Sequence, residues 1–327
     1  MRRERAVDVN RLTRRRFGAL AGGALLSGCA APGLEAPEIV TQDDRKDPFE
    51  GGIGGTGIVG LLTDFGSLRI NGLRVEVTER TLFDSPVGRV SESAVAPGMP
   101  LTVSAERTRD ALVARRVTIA WPLVGTVERS GSGFSVNGAR VRPEAGSIGR
   151  LTPGARVAVS GVWRGGMVVA SRLDPAPQGR DLIAGAAGRG GPTGFTVEGV
   201  PVRMRGAVRL PLSGSYVTLF GEIRDGLFEG TASEVGRFAR SGRELRQLSV
   251  EGYLAPISTA PGFRVAGLGH SFAPDLALAP LATQRALYFG RYDGRFAAGL
   301  ALPVPESFAA RRSLLREGVP DRGVRLR

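Results

Sequence analysis

An all-β protein built of four tandem, small five-stranded β-barrels is the fold that this sequence predicts, and three observations predict it. Short runs alternate apolar and polar residues and are parted by glycine-bearing turns, most plainly at Phe134-Ser135-Val136, Asn137-Gly138 and Ala139-Arg140-Val141. An Asn-Gly pair flanked by such alternation is the strongest short-range hairpin signal, because both turn residues can take positive φ. The residue ahead of the turn recurs as Ile70, Val136, Val197 and Val265, at intervals of 66, 61 and 68, the mark of a repeated unit. No long amphipathic helix competes for these segments. Only Glu306 to Arg316, with Phe308, Ala309, Leu314 and Leu315 after Pro303 and Pro305, reads as one short helix.

The second unit, 121–178, carries the pattern most fully. Val124-Gly125-Thr126-Val127 opens it, the Asn137-Gly138 hairpin follows, and Leu151-Thr152-Pro153-Gly154 turns the chain. Val157-Ala158-Val159 is the next strand, and Val168 to Leu173 closes the unit after Gly165-Gly166. The first unit, 56–120, repeats this with Gly57-Ile58-Val59, a hairpin at Asn71-Gly72, Leu101-Thr102-Val103 and Ala111 to Val117. The third, 179–240, has Ile183-Ala184-Gly185, a hairpin at Glu198-Gly199, Val217-Thr218-Leu219 and Ala232 to Val235. The fourth, 247–305, is worn, keeping Val250 to Leu254, Phe263 to Gly267 and Leu287 to Gly290. Strands this short cannot bury one face alone, and closure into a barrel gives each unit a core without free edges. Gly125 and Gly161 inside strands are expected at bulges and tight corners. A change in one hairpin is expected to act on its own barrel; whether the barrels pack rigidly stays open.

The N-terminal residues read as an address. Residues 1–28 join a basic region to an apolar run from Phe17 to Leu26 and a small-residue zone ending at Cys29. Thr13-Arg14-Arg15-Arg16-Phe17-Gly18-Ala19-Leu20 resembles a twin-arginine export signal, with Arg14 and Arg15 as the pair and Phe17 as its apolar residue. Leu26-Ser27-Gly28-Cys29 resembles a lipobox, which implies lipidation of the Cys29 thiol. Ala30, not Asp, follows the cysteine, and by resemblance to enterobacterial sorting the anchor is expected in the outer membrane, facing the periplasm. The apolar run falls short of the ~20 residues needed to span a bilayer. Residues 29–55, with Pro32, Pro37, Pro48 and Gly51-Gly52-Ile53-Gly54-Gly55, show neither strand nor helix periodicity. They read as a flexible tether. Residues 306–327 read as the short helix and a basic tail.

The pattern of residues 124–173, Gly-x-Val then Phe-x-Val-Asn-Gly-x-x-Val, then Leu-x-x-Gly-x-x-Val-x-Val-x-Gly and Ala-x-x-Leu, resembles a repeat of exported bacterial proteins. That repeat is the domain of unknown function numbered 5666, similar to bacterial OB-fold modules. The resemblance is good for the first two units, partial for the third and poor for the fourth. It implies OB-like barrels and an envelope location, and it carries no catalytic residues. The first unit departs from the pattern with Ala105 and Asp110 where the second has Gly161 and Gly166.

Charge and composition exclude several classes. The formal net charge is +13, of which the signal takes about +5 and the last twenty residues about +4, so the body is only mildly basic. Lys46 is the only lysine, a skew that reads first as codon bias. Nucleic acid is therefore not an expected partner. With one cysteine and one histidine, His270, no Cys/His metal centre can form. His270 lies in Gly269-His270-Ser271 in the least regular unit and reads as a loop residue, not a catalytic base. Asp43-Asp44-x-x-Asp47 lacks the glycine and terminal glutamate of a calcium loop. Gly188-Arg189-Gly190-Gly191 and Gly51 to Gly57 lack the lysine and helix of a phosphate loop. No enzyme, metal or cofactor is expected.

Binding is the harder question. OB-like barrels commonly take oligonucleotides or oligosaccharides on one face, and a stacking platform needs aromatic rings interleaved with arginine. Trp163-Arg164 and Tyr288-Phe289-Gly290-Arg291-Tyr292 lie in late hairpins of the second and fourth units, which makes Trp163, Arg164, Arg291 and Tyr292 the candidate ligand-binding residues. Phe134, Phe195 and Phe263 alternate as core residues do. The expectation is a non-catalytic lipoprotein, held to the membrane through Cys29, that serves as a structural or protein-binding module for an unidentified envelope protein. The alternative is an oligosaccharide- or polyanion-binding protein whose partner is a glycan. Trp163 and Tyr292 exposed on one shared face would favour the alternative, and their burial the scaffold.

Overall fold

The computed structural model describes residues 39–41, 54–176, 178–205, 211–239, 242–256, 263–265, 268, 283–294, 296–320 and 322–325. Arg14, Arg15, Phe17, Cys29 and His270 lie outside them.

After β1 (Ile39–Thr41), the first unit runs β2 (Gly55–Asp64), β3 (Leu68–Ile70), β4 (Leu73–Glu76), β5 (Leu82–Ser85), β6 (Gly88–Arg89), β7 (Pro100–Arg107) and β8 (Leu112–Ile119). β2, β3 and β4 pair antiparallel in series; β4 then lies parallel to β8, β8 antiparallel to β7, and β7 returns to β2. That circuit closes a five-stranded Greek-key barrel of OB type. The β5–β6 hairpin is an addition beside it, with β5 running parallel to β8.

The second unit repeats the circuit with β9 (Leu123–Ser130), β10 (Gly133–Val136), β11 (Ala139–Ile148), β12 (Arg156–Arg164) and β13 (Met167–Pro175). The third repeats it with β14 (Asp181–Arg189), β15 (Phe195–Val197), β16 (Val200–Met204), β17 (Tyr216–Arg224) and β18 (Leu227–Val235). The fourth contains β19 (Leu245–Gly252), β20 (Leu254–Pro256), β21 (Phe263–Val265), β22 (Ala286–Tyr292) and β23 (Phe296–Pro303). Its β19, β22 and β23 form an antiparallel sheet, and β20 pairs antiparallel with β21 apart from it. The chain ends in helix α1 (Phe308–Glu317) and β24 (Arg322–Arg325). Two sequence expectations are corrected here. Part of the tether is strand, because Ile39–Thr41 pairs with β24, and the basic tail contributes β24 to the edge of β23.

The hairpins form as their residues dictate. Asn71 and Gly72, Asn137 and Gly138, and Glu198 and Gly199 all have positive φ, between 50° and 85°, as a turn matched to strand twist requires. Gly161 sits at a bulge, where the β12–β13 register shifts between Ser160 and Gly161. The same strand pair shifts between Ser104 and Ala105 in the first barrel and between Thr218 and Leu219 in the third. Alanine in place of glycine therefore does not abolish the bulge.

Gly125 has a different role from the expected bulge. Asn137 lays its carboxamide across it, so that a methyl group there would overlap Asn137 Oδ1. Asn137 Nδ2 donates to Val124 O at 2.9 Å and to Leu182 O, on β14 of the next barrel, at 2.8 Å. Asn71 covers Gly60 in the same manner and donates to Val59 O at 3.1 Å and to Ser249 Oγ of β19 at 2.9 Å. A short polar turn residue thus satisfies a strand of its own barrel and a strand of its neighbour.

These links pair the units. β2 runs parallel to β19, so the first and fourth units share one sheet; β9 contacts β14, so the second and third share the other. Buried apolar residues follow the pairing. Val136, Val159 and Trp163 of the second barrel and Ile183, Val197 and Phe228 of the third belong to one continuous core. Leu287, Phe289 and Leu302 of the fourth unit join the core of the first. β2 is buried along both faces from Thr56 to Thr63, which a strand between two packed layers must be. Ala36–Arg327 form one compact unit. The expectation that each hairpin acts on its own barrel gives way, since the hairpin asparagines bond across the joints.

Candidate functional site

Trp163, the leading ligand-binding candidate, is a core residue. Only 4% of it is exposed, and its Nε1 donates to Ala184 O of the third barrel at 2.8 Å. A ring packed beside Val159 and Val168 has no face to offer a ligand. Arg164 is half-buried; its guanidinium lies 4.9 Å from the Tyr253 ring and donates to Thr283 O at 2.9 Å. Tyr292 is half-buried against Phe238, ring centres 6.3 Å apart, while Arg291 is exposed. The expected platform does not assemble. Phe195 is buried, and Phe134 packs partly buried on the same core.

Two features that the sequence reading missed stand in its place. The first is a buried charge cluster where the second unit, the fourth unit and α1 meet. Arg285 and Arg311 are fully buried, with Glu251 and Glu144 beside them at 3% and 9% exposure. Arg285 reaches Glu251 at 2.8 Å and Glu144 at 3.1 Å; Arg311 reaches Glu144 at 2.7 Å and Glu251 at 2.9 Å. Arg311 also donates to Pro305 O and Glu306 O, and Glu251 accepts from Leu61 N of the first barrel at 2.8 Å. Burial pushes the Glu251 carboxyl up, but Arg285, Arg311 and the Leu61 N–H outweigh it and hold the group below the usual carboxylate range. Burial alone would lower Arg285; Glu251 and Glu144 more than offset this and raise it. Tyr253 roofs the cluster, bonded to Glu306, with its hydroxyl pushed up to about 12 mainly by burial.

Helix α1 is a strap for this junction. Phe308, Arg311 and Leu315 face inward, a spacing that sets all three on one helical side. Ser307 Oγ donates to Ala145 O, and Arg316 and Arg312 pair with Asp64 at the end of β2, at 2.7 and 3.4 Å. The sequence reading placed this helix on Phe308, Ala309, Leu314 and Leu315. The structure buries Arg311 instead of Ala309, because carboxylates on two other units are waiting for it.

The second feature is a cleft of about 470 Å3 where β5–β8 of the first barrel face β17, β18 and the residues after them in the third. Its walls carry Trp121, Tyr216, Phe220 and Phe238, with Asp84, Arg116 and Arg237 between them. Arg116 pairs with Asp84, which Arg89 also approaches at 3.6 Å. Arg237 stacks 4.3 Å from the Tyr216 ring centre and donates to Thr102 Oγ1 at 3.1 Å. Arg237 Nε and Trp121 Nε1 are covered N–H groups with no acceptor. Among the described residues no three His, Cys, Asp or Glu side chains are grouped to hold a metal ion.

The fold defines a fused multi-barrel protein of OB type, and its first barrel resembles a known family. Residues 56–118, the circuit from β2 to β8 without the first residue of β2 and the last of β8, match the family model described as a domain of unknown function, DUF5666. No curated protein and no solved structure matches the chain.

Proposed function

We propose that this chain is a non-catalytic envelope lipoprotein whose fused barrels act as one rigid protein-binding module. The reading of export through Arg14, Arg15 and Phe17 and of anchoring through a lipidated Cys29 comes from the sequence motifs. The observation that carries the module reading is the buried cluster of Glu144, Glu251, Arg285 and Arg311, which joins the second barrel, the fourth sheet and α1 and, through the Leu61 N–H on Glu251, the first barrel. A joint of this kind preserves the relative placement of surfaces, which is what a scaffold needs and a string of beads lacks. The burial of Trp163 points the same way. The test is site-specific photocrosslinking in cells from exposed positions of the membrane-anchored protein. Contiguous positions crosslinking to one envelope protein support the reading, and positions that all stay uncrosslinked contradict it.

The second reading, binding of an oligosaccharide or polyanion, is favoured by the cleft between the first and third barrels, whose walls alternate rings with polar side chains.

A further inference from the structure

We infer that the cleft between the first and third barrels is a binding site for a neutral oligosaccharide, an inference that rests on the second reading above and names its ligand class. The volume of about 470 Å3 falls within the ~300–1,000 Å3 of small-ligand sites.

The wall chemistry selects among ligands. Trp121 and Phe220 are half-buried at the cleft, so each packs on the protein and keeps some ring surface at the wall. Flat rings at a wall suit the C–H faces of pyranose rings. Between them stand groups of both hydrogen-bonding senses. Asp84 is an acceptor with lone pairs beyond those used by Arg116, Arg116 and Arg237 are donors, and Thr118 is both. Sugar hydroxyls donate and accept at the same atom, so a mixed wall satisfies them where a wall of donors would not. A polyanion fits worse: the wall mixes Asp84 and Glu234 with Arg89, Arg116 and Arg237, and Arg116 is already paired with Asp84, so the cleft offers no uniformly basic surface to a phosphate chain. Arg237 is held in place by Tyr216 and Thr102, so it meets a ligand without being ordered by it. The hairpin that supplies Asp84 is the β5–β6 addition, which has no counterpart among the described residues of the second and third barrels.

The test uses the full chain, purified in a detergent without a sugar headgroup. Saturation-transfer NMR and calorimetry are run with maltotetraose, cellotetraose, chitotetraose and inorganic polyphosphate. At least one tetrasaccharide is expected to bind and to change tryptophan emission. Its affinity should fall at least tenfold in Asp84→Asn and in Phe220→Ala, each verified as folded by circular dichroism. Two variants on opposite walls keep the result readable if one of them unfolds. Saccharide binding that persists in both folded variants overturns the cleft assignment and leaves the second reading standing. Absence of binding by every saccharide and by polyphosphate overturns both. Polyphosphate bound in place of the sugars, and lost in the same variants, overturns the ligand class.

Discussion

Asn137 reaches across Gly125 and joins two barrels with one carboxamide, through Val124 O at 2.9 Å and Leu182 O at 2.8 Å. The reach depends on two local conditions. Asn137 sits at φ 52° in the hairpin turn, which aims its side chain back over β9, and Gly125 has no side chain to block it. Turn chemistry within one unit thereby becomes a contact between units.

Gly125→Ala should destabilise the protein by about 2–3 kcal/mol, since the added methyl displaces the carboxamide and leaves buried carbonyls unmet. Asn137→Ala should cost a similar amount, and the double variant much less than the sum, because both remove one interaction. Urea unfolding of the four proteins checks this; strict additivity would show that the two residues act separately.

The hairpin glycines should differ in their sensitivity. Gly138→Ala and Gly199→Ala meet little beyond the penalty for positive φ, about 1–2 kcal/mol. Gly72→Ala should cost more, about 3 kcal/mol, because its methyl would overlap the Gly318 carbonyl behind α1. Equal thermal shifts for all three would contradict the packing of the helix end on the first hairpin.

Glu251 makes stability depend on acid. Its folded pKa lies below the ordinary 4.5, so its contribution is fully present above that value and is lost as pH falls through the lower, folded one. Urea midpoints measured from pH 7 down to 3 should fall over that window. Glu251→Gln should be less stable at pH 7, with a flatter acid limb. An acid limb identical to the wild type would remove Glu251 from this role.

The address is tested by Cys29→Ala, which should leave unlipidated precursor or soluble protein, and by Arg14→Lys with Arg15→Lys, which should strand the protein in the cytoplasm. Mass spectrometry of the wild-type N-terminus checks the first, and fractionation the second. An unacylated wild-type N-terminus contradicts the anchor; normal processing of the double lysine variant contradicts twin-arginine export.

Local pattern carried the barrels, since hairpins at Asn71-Gly72 and Asn137-Gly138 and the bulge at Gly161 depend on residues a few positions apart. Gly125 was legible as special but not for its reason, because its partner is a side chain twelve residues on that also serves another barrel. Trp163 could have been placed correctly: it follows Val157 and Val159 at even spacing, the inward side of β12. Its position in a late hairpin outweighed that signal. Arg285 and Arg311 gave no signal at all. Each precedes or sits within an ordinary amphipathic segment, and their carboxylates lie as far as 167 residues away. The cleft is equally silent, because Trp121 lies between two barrels and Phe220 in a strand of a third. Packing between units has no period in the sequence.

Arg311 and its carboxylates bind the units into one body. Removing one member of a buried ion cluster costs about 3–5 kcal/mol, so Arg311→Met should weaken every element that the cluster joins. Native-state hydrogen exchange, resolved by peptide, measures this directly. Exchange should quicken in α1, in β11 around Glu144 and in β19 around Glu251 together; acceleration confined to α1, with β11 and β19 unchanged, would contradict the joint.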